Sequence, residues 1–182
     1  MQKVNLNTFT NSEYQIVANK LKIVLWYLCN LLFFKSGNPF YWLKTCILQC
    51  FGAKVGTNVL IKPHVSIKYP WKLIIGDNVW IGEHAWIDNI DMVSIGNNVC
   101  ISQGALIISG NHDYKKSTFN LITKPIEIHD GAWLGAKSIV CGGSIISENS
   151  ILTVGCVWCG TTEKNGIYKG NPAVYYKERK IE

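Results

Sequence analysis

Few side chains in this sequence are equipped for chemistry, and the most promising is a histidine in the run Gly110-Asn111-His112-Asp113-Tyr114. An unperturbed imidazole titrates at about 6.5, so a histidine held on a polar loop can take up and return a proton near neutral pH. His64 and His84 lie 20 residues apart, a spacing that matters if the chain repeats, and His129 stands alone. Cys156-Val157-Trp158-Cys159 has redox or zinc spacing. No matching second pair follows, however, and a buried cysteine ordinarily behaves as a small hydrophobe. Asp88-Asn89 offers a carboxylate and an amide that suit either a hydrogen-bonding site or a turn. Lys164, Lys169, Lys177, Arg179 and Lys180 gather near the C-terminus, as a solvated tail or a seat for a phosphorylated cofactor.

What must position these groups is written in an apolar ladder. Val55, Ile61, Ile67, Ile75, Ile81, Ile87, Ile95, Ile101 and Ile107 advance in steps of 6, 6, 8, 6, 6, 8, 6 and 6. The ladder resumes at Ile128, Leu134, Val140, Ile146 and Leu152. Most steps carry a small or β-branched residue four places on, such as Val59, Ala85, Ala105 and Ser138. A repeated hexapeptide predicts a β-helix: each unit forms one face of a triangular coil, and three units return the chain over itself. The steps of eight make 20-residue coils, which puts Ile75 over Val55 and Ile95 over Ile75. Between Ile107 and Ile128 roughly fifteen residues exceed the repeat, so a long loop over 109–125 leaves the prism carrying His112, and loops of that length are usually functional.

Ahead of the ladder a helical segment is predicted from Ser12, with Gln15 completing a capping box, through Leu21 to Phe34. Its apolar residues fall on nearly every side, yet Leu21 to Phe34 is too short for a bilayer span of roughly 20 residues. It therefore packs on the coil or touches a membrane surface. A second helical pattern (Phe40, Leu43, Ile47, Phe51) ends at Gly52. Three parts are expected: a helical segment 1–54, a β-helix 55–162 and a closing segment 163–182. With 182 residues, 48% hydrophobic and 16% charged, the chain can bury a substantial core. Seven scattered cysteines without a secretory signal point to a reducing cytoplasm. The net charge of +6 lacks the basic stripe, zinc module or recognition helix of a nucleic-acid binder.

Taken together, the ladder, the His112 loop, Gly131-Ala132-Trp133-Leu134-Gly135-Ala136 and Gly170-Asn171-Pro172-Ala173 resemble the left-handed β-helix acyltransferases. Phe51-Gly52-Ala53-Lys54-Val55-Gly56, Ile101-Ser102-Gln103-Gly104-Ala105 and His112-Asp113-Tyr114 make the chain most similar to exopolysaccharide O-acetyltransferases of the colanic-acid type. The resemblance implies a mainly β fold, a left-handed parallel β-helix with N-terminal helices and a short C-terminal helix. It also implies a cytoplasmic homotrimer with acetyl-CoA sites between subunits, and no required metal. The acceptor would be a saccharide hydroxyl of an exopolysaccharide or lipopolysaccharide precursor. The apolar N-terminal helices favour a lipid-linked acceptor at the inner face of the cytoplasmic membrane.

Residue by residue, the resemblance makes His112 the general base. It puts Asp88, Asn89, Asn111, Asp113 and Tyr114 near the acceptor, with Asp88 orienting the hydroxyl or the imidazole, or else only forming a corner. Trp133 would pack the CoA arm, and a backbone N–H near Gly135 and Ala136 would face the thioester. Val154 and Gly155 would line the cofactor, and Gly170, Asn171, Pro172 and Ala173 would close over its adenosine end. Lys177, Arg179 or Lys180 would meet the 3′-phosphate. Val174 stands where relatives often have a basic residue, and Cys159 where a threonine is common. Other readings are a maltose-, galactoside- or xenobiotic-type acetyltransferase, a non-enzymatic scaffold, and a zinc protein of the carbonic-anhydrase type. The last needs further histidines where Ser117 and Gly104 stand.

Overall fold

The computed structural model describes residues 3–10, 14 and 16–182. Its body is a triangular prism of stacked parallel coils whose three faces are sheets of five, seven and five strands. The ladder spacing is realised directly. Val55 pairs with Ile75 and Ile75 with Ile95 on the first face, Leu60 with Trp80 on the second, and Ile67 with Ile87 on the third. Ile61, Ile67, Ile81, Ile87, Ile107 and Leu134 are fully buried and form one continuous column. Each contributes about 1.5–3 kcal/mol from burial.

The corners after the first and second faces each carry a residue with positive φ, and its chemistry explains the choices there. Asn58, Asn78, Asn98 and Asn149 occupy that position after the first face, and asparagine tolerates the left-handed region better than most residues. His64 and His84 hold the equivalent position after the second face, with φ of 60° and 59°. Gly76 serves another need, close approach: a Cβ there would lie 2.5 Å from Asn97 Oδ1 and 2.8 Å from the Gly96 carbonyl.

Two helices close the base of the prism. Helix α1 (Lys20–Cys29) starts where the Asn19 side chain accepts from the Lys22 N–H. The helical start expected at Ser12 is thus corrected to Lys20. Ile16 and Val17 are not helical, because Asn19 supplies the cap instead; Ser12 and Gln15 lie outside the described residues. The helix continues as one wider turn, Asn30–Phe34, closed by the Lys35 N–H donating to the Asn30 carbonyl. Trp26 Nε1–H and Asn30 Nδ2–H both donate to the Ile67 carbonyl, which fixes this segment to the third face. Helix α2 (Tyr41–Cys50) ends at Gly52, φ 97°, as its pattern predicts. Beneath it, the fully buried Lys44 ammonium donates to the carbonyls of Ile61 and Lys62.

At the other end the expected short C-terminal helix is absent among the described residues. Gly166–Gly170 and Ala173–Glu178 form an antiparallel hairpin that extends the second face. Val174, Tyr175 and Tyr176 are strand formers, Gly170-Asn171-Pro172 makes the turn, and the Tyr168 and Tyr175 rings pack at 5.7 Å. The loop after the third face is also a hairpin, Gly110–His112 against Leu121–Thr123.

Candidate functional site

His112 ends the first strand of the protruding hairpin, and its ring is held from two sides. Nδ1 lies 2.9 Å from the Phe119 carbonyl, which can only accept, so Nδ1 carries a proton and, in the neutral ring, Nε2 holds the lone pair. The Phe119 ring stacks on the imidazole at 4.4 Å and 6°. Phe119 adopts φ 50°, an uncommon conformation for a bulky residue, and that bend accompanies the carbonyl and ring that both meet His112. A third contact comes from the N-terminal stretch: Phe9 lies 5.9 Å from the imidazole, and the Asn5 N–H donates to the Ser117 carbonyl. The hairpin leaves the prism through Gly110, where any Cβ would strike Ile90. Phe119 and Phe9 left no signal in the sequence, since neither a carbonyl orientation nor a contact from a segment about a hundred residues away leaves a local motif.

The five residues assigned to the acceptor divide by location. Asn111 and Tyr114 are exposed beside His112, although the Asn111 carboxamide already accepts from the His112 N–H at 2.8 Å. Asp113 holds the turn, accepting from the Lys115 N–H and lying 3.7 Å from Lys116. Asp88 points out of the third face and pairs with Lys68 at 3.0 Å. Asn89 is fully buried and bonds the backbone of Tyr69 and Lys72, so it braces a corner and does not reach solvent. Near it Tyr14 donates to the Ile90 carbonyl at 2.9 Å, as does the Lys72 ammonium. Burial, with Asp91 and Asp88 nearby, pushes the Tyr14 phenol up to about 12. Between the hairpin and the third face runs a cleft lined by Ser109, Asn111, Ile122, Lys124, Cys141 and Cys159.

The residues assigned to the donor lie on another corner. Trp133 presents a half-exposed indole on the second face and donates from Nε1 to Ser102 Oγ at 2.8 Å. The Gly135 N–H is spent on the Leu152 carbonyl, and a Cβ on Gly135 would meet that same oxygen, so this residue packs coils. Among the described residues the N–H groups of Ala136 and Val154 donate to no acceptor. They stand on successive coils at the corner between the second and third faces, with Gly155 (φ 70°) beside them. Two free N–H donors next to an exposed indole suit a carbonyl-bearing, partly apolar chain. Gly170, Asn171 and Pro172 form the exposed hairpin tip, and Ala173 is buried. Lys177 is exposed, but the Arg179 guanidinium binds the Gly131 and Asn149 carbonyls and serves to fasten the tail.

His64 and His84 stack at 4.8 Å and 8°, as their spacing requires, and His64 Nδ1–H donates to the Lys35 carbonyl. His129 lies 3.2 Å from Glu127. No group of three or more metal-binding side chains occurs among the described residues. The His112 hairpin follows the third face, whereas Ala136 and Val154 precede it. The His112 hairpin and the Ala136 and Val154 N–H groups therefore lie on different corners of the prism.

No family model matches the chain. It is 33% identical over 163 residues to the Escherichia coli K12 protein that carries the name colanic acid biosynthesis acetyltransferase WcaF, a match covering 89% of this chain and 90% of that one. It is 26% identical over 146 residues to the galactoside O-acetyltransferase of Escherichia coli K12, covering 71% of each. Among solved structures, a hexapeptide-repeat acetyltransferase of Vibrio cholerae complexed with acetyl-coenzyme A superimposes with a TM-score of 0.80 at 19% identity. That superposition covers 95% of this chain and 93% of the other.

Proposed function

We propose, from the premise that the chain belongs to the hexapeptide-repeat acetyltransferases beside the colanic-acid type, that it moves acetyl from acetyl-CoA to a saccharide hydroxyl. The observation that carries this reading is the state of His112. With Nδ1–H committed to the Phe119 carbonyl, Nε2 is the free base of a ring that Phe119 and Phe9 hold in place. Nε2 accepts the acceptor's hydroxyl proton as that oxygen bonds to the acetyl carbonyl carbon, and the proton then goes to the departing sulfur. The Ala136 N–H meets the negative charge developing on the carbonyl oxygen. Gly135, whose N–H is occupied, leaves that task to its neighbour.

The co-substrate supplies the activated thioester; the chain binds and orients it. Trp133 and the Val154 N–H hold its arm, Gly155 admits it close to the backbone, and Gly170 to Ala173 cover the adenosine end. With Arg179 engaged elsewhere, Lys177 and Lys180 are the groups for the 3′-phosphate. Because base and donor groups occupy different corners, the assembly we propose is a homotrimer in which the His112 hairpin of one subunit faces the Trp133 corner of the next. Asn111, Tyr114 and Asp88 contact the acceptor, which we take to be a lipid-linked polysaccharide precursor met at the inner face of the cytoplasmic membrane. No helix among the described residues is long and apolar enough to cross a membrane. Thiol release from acetyl-CoA, measured with free sugars, nucleotide sugars and lipid-linked saccharides, tests the reading. Acceptor-dependent release is the expected result; failure to bind acetyl-CoA at all would overturn it.

A further inference from the structure

Helix α1 and its wide turn bury one side and leave the other bare. Trp26, Asn30 and Phe34, each four residues from the next, face the prism. On the opposite side Leu21, Leu25, Leu28 and Leu32 are 67, 46, 52 and 53% exposed, with Val24 and Leu31 beside them. Their spacing of 4, 3 and 4 residues makes a single apolar stripe along the helix. A contiguous apolar face of this kind is a contact surface awaiting something.

The charge around the stripe says what. Residues 14–76 contain eight lysines, of which Lys44 is buried and Lys68 pairs with Asp88, and no aspartate or glutamate, whereas residues 77–182 contain eleven acidic residues against nine basic. Lys20 and Lys35, at the two ends of the stripe, are exposed. A second copy meeting this face by a two-fold axis would oppose lysine to lysine, which such a contact avoids. An anionic bilayer surface complements both properties, its headgroups attracting the lysines and its acyl boundary receiving the leucines. The fifteen residues of Lys20–Phe34 span about 22 Å at 1.5 Å each, too short to cross a hydrocarbon core of about 30 Å but suited to lying in its surface.

We propose that the Leu21–Leu32 stripe with its flanking lysines is an amphipathic docking surface for anionic phospholipid, by which the protein lies on the membrane through the base of its prism. This rests on the membrane-proximal reading above and adds the lipid chemistry and the residues that meet it.

The test is co-sedimentation of the full chain with vesicles of neutral phosphatidylcholine or with about one third phosphatidylglycerol, without acetyl-CoA present. Binding is expected to be at least about tenfold stronger to the anionic vesicles and to weaken with salt. Leu25→Asp with Leu28→Asp, both on the exposed side, should abolish it. Unchanged circular dichroism and unchanged acetyl-CoA affinity in that variant would show that the fold is kept. Indifference to lipid charge, or vesicle binding that survives the double substitution, overturns the proposal. So does a higher oligomer, seen by sedimentation velocity without vesicles, that the substitution breaks down, since the stripe would then be a subunit contact. Turnover on a soluble acceptor, assayed separately, distinguishes the two readings: transfer without vesicle binding sinks the docking alone, and vesicle binding without acetyl-CoA binding sinks the enzyme alone.

Discussion

Lys44 should contribute a rise in stability with pH that opposes the effect of the half-buried cysteines Cys29, Cys100 and Cys141, whose thiols burial pushes up. Its ammonium is fully buried under α2 and is bonded to the Ile61 and Lys62 carbonyls, 3.2 and 3.0 Å away. Burial lowers its pKa from 10.5 to about 8. Below about 8 both folded and unfolded chains hold the proton, and the folded one carries the full desolvation cost. Between about 8 and 10.5 the unfolded chain holds more protons than the folded one, so unfolding free energy climbs with pH. The interval corresponds to about 3 kcal/mol at 1.36 kcal/mol per pH unit. Lys44→Met keeps the stem and removes the titrating group, leaving two carbonyls unbonded at a cost of roughly 1–3 kcal/mol each. At pH 7 the two effects oppose each other, so the informative quantity is the difference in slope. Urea unfolding of both proteins at several pH values from 7 to 10.5 should show the wild type gaining about 3 kcal/mol relative to the variant, the other titrating groups being common to both. Parallel curves would refute the assignment of a shifted buried ammonium.

Gly76→Ala forces a Cβ against the Gly96 carbonyl of the next coil and should destabilise by roughly 2–4 kcal/mol, read from the urea midpoint. Trp133→Ala removes the exposed indole of the donor corner and should weaken acetyl-CoA binding about tenfold or more by calorimetry. Unchanged affinity would move the donor site elsewhere.

The prism was legible because a six-residue period admits little else: Ile75 over Val55 and Ile95 over Ile75 follow from counting. The long step to Ile128 likewise announced a protruding loop bearing His112, though not that its arms pair as a hairpin. Expectations carried over from the resemblance failed where tertiary contacts decided. Asn89 read as an acceptor ligand but its amide is consumed by two carbonyls and an N–H of the neighbouring corner. Arg179 read as a phosphate ligand, yet its guanidinium reaches back 48 residues to Gly131. The tail read as a helix, whereas its tyrosines and its Gly-Asn-Pro turn pair it with the second face. Phe119 was invisible because its contribution is a carbonyl direction set by a positive φ, which no residue type announces in a phenylalanine.

The central claim is that His112 is the base of an acetyl transfer. Its most direct test compares acceptor-dependent thiol release by wild type and His112→Ala on the best acceptor found, with acetyl-CoA affinity measured on both. The account predicts a turnover loss of roughly 10²–10⁴-fold with donor affinity unchanged. Equal turnover in the two proteins would contradict it.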